Sequence, residues 1–90
     1  MSNFKPARLI KALEGWQGDA ALYELSEPLD GHTKVVVSAI CAPFSGYETL
    51  IFPWNEEKNT VTDFMEIGGI YSECSHKNAL ANVGFYIEDA

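Results

Sequence analysis

Long apolar runs are missing from this sequence: no stretch approaches the ~18–20 residues that a bilayer-spanning helix requires. Lys11 and Glu14 interrupt the N-terminal segment before a secretory apolar region forms, so export is not expected. Cysteine is sparse as well. Two thiols without an export signal, Cys41 and Cys74, are read as reduced, and the protein as cytoplasmic. Six bases stand against thirteen acids. That balance argues against duplex nucleic acid, where Lys and Arg must neutralise phosphates, and against anionic membrane surfaces. Neither G-x-x-x-x-G-K-[ST] nor G-x-G-x-x-G occurs, so a phosphate-cradling loop has no support.

What is present describes one small domain spanning residues 1–90. Hydrophobic residues make up 47% of the chain, which excludes disorder on composition. Five Phe, four Tyr and two Trp exceed what so small a core easily hides, which points to a homodimer contact or a partner site. Charge divides the chain unevenly. Lys5, Arg8 and Lys11 give residues 1–13 a charge of +3, leaving −10 on the remainder. An acidic body suits a basic partner surface, although acidity alone also keeps small proteins soluble.

Residues 5–16, KPARLIKALEGW, read as a helix: Pro6 suits the first turn, and Leu9, Ile10, Leu13 and Trp16 share a face. The domain therefore divides into a basic amphipathic helix over 1–17 and an acidic body over 18–90. DAALYEL alternates as a half-buried strand, and Asp30-Gly31 supplies a turn. TKVVVSAIC reads as a central strand covered on both faces. APFSG turns into the strand YETLIFPW, where Pro53 marks an end or an edge. NEEKN is a polar turn and TVT a short return strand. Asp63 and Glu66 have capping-box spacing around one helical turn, closed by Gly68-Gly69. Ser75 caps a short helix over 76–83, with Gly84 as its stop, and FYIED closes the chain as a strand. The expected fold is α+β: an antiparallel sheet of four or five strands with an N-terminal helix and a short C-terminal helix.

Five segments recur together: V-V-S-A at 36–39, P-F-S-G at 43–46, E-T-L-I-F-P at 48–53, V-T-D at 61–63, and A-L-x-x-x-G-F at 79–85. On these the chain resembles a group of small uncharacterised proteins of actinobacterial bacteriophages, over roughly residues 19–87. The resemblance implies a setting, a phage accessory protein in the cytoplasm of a bacterial host, and no catalytic residues. Cys41 and Cys74 lie outside the shared pattern.

The residues that could carry chemistry are few. His32, Cys41, Cys74 and His76 are formally a Cys₂His₂ set, but only Cys74-x-His76 is close in sequence, so no metal site is expected. Cys74 beside His76 lacks a thiol-hydrolase signature, and Cys41 reads as strand packing. Glu56-Glu57, Asp63 with Glu66, and Glu88-Asp89 pair carboxylates in turns, caps and tails, not across a cleft. No enzyme and no cofactor are expected. Phe44 and Tyr47 flank a turn and form the expected anchor, with Trp54, Glu56 and Glu57 completing the binding residues. The reading is a non-enzymatic accessory protein that binds a host or phage protein. Its alternative is a sequestering protein for a small aromatic ligand, such as a nucleotide signal, held between subunits by Tyr or Trp with a Lys or Arg.

Overall fold

Apolar alternation and β-branched residues dominate the middle of the chain, and the sheet grows outward from there. The computed structural model describes residues 4–16, 18–42 and 46–88. Strands β1 (Lys5–Leu13), β2 (Asp19–Leu29), β3 (His32–Ala42), β4 (Gly46–Pro53) and β5 (Gly68–Ile70) are followed by helix α1 (His76–Asn82) and strand β6 (Phe85–Ile87). The sheet order is β5-β4-β3-β2-β1-β6. All neighbours are antiparallel except β1 and β6, which are parallel.

The Val35-Val36-Val37 run lies at the centre of β3, and all three side chains are completely buried. Successive strand residues face opposite sides, so burial of all three requires cover on both. On one face, Tyr23, Leu25, Val35, Val37 and Ile51 pack with Ala79 and Leu80 of α1 and Phe85 of β6. On the other, Ala20, Leu22, Val36 and Phe52 pack with Trp54 and Val61 of the loop after β4, flanked by Leu13 and Trp16. Helix α1 contacts both edge strands, β5 and β6, so the sheet curls around it. Asp30 and Gly31, with φ of 51° and 84°, join β2 to β3 where Leu29 pairs with His32. This is the two-residue hairpin turn whose positive φ values suit the strands' twist.

The N-terminal helix is not formed. Residues 5–13 are strand β1, and the sheet is mixed and six-stranded, not antiparallel with four or five strands. A free helix of that length is marginal, so tertiary pairing decides the segment's conformation. β2 pairs with the segment from Ala7 to Leu13 and β6 with Lys5 to Ala7, and Ala7 is fully buried. Leu9 and Ile10, which suggest a helical face, stand about half exposed at 52% and 41%. A register shift between Leu9 and Lys11 resets the alternation, which brings Leu13 to the second face.

Two smaller expectations also change. Asp63 does not cap a helical turn; its Oδ1 accepts a hydrogen bond from Met65 N at 3.0 Å, a local turn that competes with helix. The expected TVT strand reduces to a single bridge between Asn55 and Thr60. The short helix after Ser75 is present, and Ser75 Oγ accepts from Asn78 N at 3.1 Å. Gly69, at φ 139°, crosses so close to the Thr49 carbonyl that a Cβ would collide with backbone. Gly68-Gly69 therefore opens strand β5 instead of ending a helical turn.

Candidate functional site

Three places gather polar or aromatic side chains. The first lies beside the second face of the sheet. Phe52 projects from β4, Trp16 follows β1, and Phe64 reaches over from the loop after β4. Ring centroids lie 6.0 Å apart for Trp16–Phe52, 5.8 Å for Trp16–Phe64 and 5.6 Å for Phe52–Phe64. These tilted and edge-on contacts are the geometry that aromatic quadrupoles favour. Between them runs a cleft of about 350 Å³, lined also by Gly15, Ser38, Ile40 and Thr60. Phe64 remains 64% exposed and the adjoining Met65 73%.

The second place is a polar cleft of about 520 Å³ where β3 begins and β4 ends. His32, Lys34, Trp54, Glu56, Glu57 and Asp63 contribute to its walls. Lys34 Nζ is paired with Glu56. That hydrogen bond holds the Lys34 ammonium above the ordinary lysine range, against a smaller opposing effect of burial.

The third is internal. Tyr23 OH lies 2.9 Å from His76 Nδ1, and His76 Nε2 lies 2.7 Å from the Asp19 carbonyl oxygen. Because a carbonyl only accepts, Nε2 carries a proton, and in the neutral imidazole Nδ1 accepts from tyrosine. Burial, and then the Asp19 charge, push the Tyr23 phenol above its ordinary value. Tyr23 is 4% exposed, so the pair is an internal strut between β2 and α1. Tyr23→Phe is expected to cost about 1–2 kcal/mol, because His76 Nδ1 loses its donor in a partly buried place. A raised phenol pKa contributes stability that is complete below the unfolded value near 10 and is lost as pH rises through the folded value. Urea midpoints at pH 7 and about pH 10.5 check both points. The variant should start lower and show a smaller alkaline loss.

The expected site residues separate. Phe44 lies outside the described residues. Tyr47 is exposed at the start of β4, opposite Cys41, whereas Trp54, Glu56 and Glu57 follow the strand's other end. Seven residues of extended strand put those ends roughly 23 Å apart. The structure brings Trp54, Glu56 and Glu57 together in the polar cleft and leaves Tyr47 out. Sequence reasoning misses Trp16 and Phe64 as site residues. The available signal is Phe64-Met65 itself, two bulky apolar residues inside the polar stretch TDFME.

The cysteines are not the reduced thiols expected. Cys41 and Cys74 form a disulfide with a Cα–Cα distance of 5.8 Å, so Cys41 is an exposed cross-link and not strand packing. The formal Cys₂His₂ set is not assembled: His32 sits at the opposite end of β3 from Cys41, and His76 is held by Tyr23 and Asp19. Among the described residues no group of His, Cys, Asp and Glu is placed to hold a metal ion. Among them, too, no helix is long and apolar enough to cross a membrane. Compared with protein-family models, curated proteins and solved structures, the chain matches none.

Proposed function

We propose that this protein acts by binding and not by catalysis, and that the aromatic cleft between Trp16, Phe52 and Phe64 receives an apolar side chain of a protein partner. The observation that carries the reading is the exposure of Phe64 and Met65 beside an already open aromatic cleft. Isolated exposed apolar residues are ordinary, whereas adjacent ones rimming a concave aromatic surface are typical of recognition sites. The cleft's size falls at the small end of the ligand-pocket range, which suits one anchoring side chain. The bacteriophage resemblance suggests a host or phage protein as the partner, in a bacterial cell.

A small aromatic ligand remains the alternative occupant. The cleft's lining includes no Lys or Arg among the described residues, which disfavours a charged nucleotide there.

Affinity purification from a whole lysate of bacterial cells prepared without reductant, run in parallel with wild type and a Phe64→Ser, Met65→Ser variant, tests the reading. Phe64 touches Trp16 and Phe52, so the variant should lose about 1 kcal/mol and melt about 4–8 °C lower while still unfolding cooperatively. Loss of about tenfold or more in the retained partner is expected, as for a central anchor. Equal retention by both proteins would sink the proposal.

A further inference from the structure

The aromatic and polar clefts meet along one loop. Asp63 lines the polar cleft and the next residue, Phe64, lines the aromatic one; Thr62 and Thr60 divide in the same way. A ligand that fills one cleft therefore has the other within reach of its neighbouring atoms.

The polar cleft is suited to positive charge. Lys34 is the sole Lys or Arg among its described lining residues, and Glu56 neutralises it. Glu57 and Asp63, set against Lys11 beside the Trp54 ring, leave the cleft negative by one charge. Glu14, next to the cleft residue Gly15, and Glu66, two residues beyond Phe64, add charge on the aromatic side. Among the described residues none of these four carboxylates joins an ion pair. Lys11 Nζ stands 5.9 Å from the centroid of the Trp54 ring, which is 9% exposed, so an incoming cation has to displace Lys11 from that wall. An ammonium or guanidinium over an indole face is attracted by the ring's quadrupole, which carboxylates nearby reinforce.

We propose that the two clefts form one two-pronged site, and that its occupant is a protein segment carrying a lysine or arginine beside an aromatic or large aliphatic residue. The cation enters between Trp54, Glu57 and Asp63, and the apolar side chain enters between Trp16, Phe52 and Phe64. This rests on the binding reading above and adds the chemistry of the partner. Charge complementarity selects the occupant: a neutral hydrophobic ligand uses the aromatic cleft alone, and an acidic segment is repelled from both.

The test is an NMR titration that follows the indole N–H signals of Trp16 and Trp54. The probes are N-acetyl-Arg-Phe-amide, N-acetyl-Phe-Arg-amide and their Glu-for-Arg counterparts. At least one arginine peptide should shift both indoles, with affinity about fivefold or more above its glutamate counterpart. A Glu57→Gln, Asp63→Asn variant should lose most of that difference while remaining folded, since the amide oxygen introduced by Asp63→Asn still accepts from Met65 N. Equal affinity of arginine and glutamate peptides, with Trp16 alone responding, overturns the two-pronged site and leaves apolar binding standing. No response of either indole to any peptide at millimolar concentration also overturns it. In that case the Phe64→Ser, Met65→Ser purification decides separately whether the binding reading survives.

Discussion

Reduction of the Cys41–Cys74 disulfide is expected to lower the melting temperature by about 12–32 °C. The bond joins residues separated by 33 positions, and the loop-entropy relation assigns such a closure about 3–4 kcal/mol. In a domain of this length, each kcal/mol corresponds to about 4–8 °C. The cross-link ties the end of β3 to the segment that leads into α1. That segment is already held by Thr49, whose Oγ1 donates to the Glu73 carbonyl at 2.7 Å and accepts from Ser75 N at 2.9 Å. Cys74 Sγ also lies 3.1 Å from the Ile40 carbonyl, so a reduced thiol has an acceptor waiting. The reduced protein should therefore remain folded, with the lost stability residing in the more compact unfolded chain of the oxidised form. Thermal melts with and without a thiol reductant provide the measurement, and Cys41→Ser should melt at the reduced value in both. A reductant-independent melt of the wild type would show that the bond contributes nothing.

Leu80→Ala is expected to cost about 3–4 kcal/mol, measured as a fall in the urea midpoint at unchanged slope. Leu80 is completely buried and is the largest side chain that α1 contributes to the core. Truncation removes apolar burial and leaves a cavity that a rigid sheet cannot collapse to fill. The effect is large because α1 is only seven residues long and not stable by itself, so its docking depends on this face. Loss of Leu80 loosens the helix against β5 and β6 together, and both edges of the sheet are short. A cost under about 1 kcal/mol would mean that α1 contributes little to the fold.

The elements legible in the sequence are those whose local signals agree with their tertiary setting. The Val35–Val37 run, the Asp30-Gly31 turn and the Ser75 cap each carry a single physical meaning, and each is present. Residues 5–16 carry two meanings. Leu9, Ile10 and Leu13 fit a helical face, yet the segment pairs along its length with β2 and at its start with β6, whose availability is a property of the whole sheet. Tertiary pairing overrides weak helix propensity in that situation. The cysteine pairing is illegible for a similar reason. A separation of 33 residues says nothing about proximity, which arises because β3 and the approach to α1 finish side by side. Of the expected binding residues, Trp54, Glu56 and Glu57 share one cleft, a grouping their closeness in sequence makes readable. Their aromatic counterparts Trp16 and Phe64 are far apart in sequence, and only the curled sheet unites them.

The parallel ladder between β1 and β6 joins the two ends of the described chain. Lys5 pairs with Phe85, so forming that ladder closes nearly the whole chain into a loop. The hairpins from β2 to β4 close only short loops. Loop-closure entropy makes the distant pairing the costlier step, and its three-residue register returns few hydrogen bonds for it. The meander is therefore expected to form first and the β1–β6 seam to zip last.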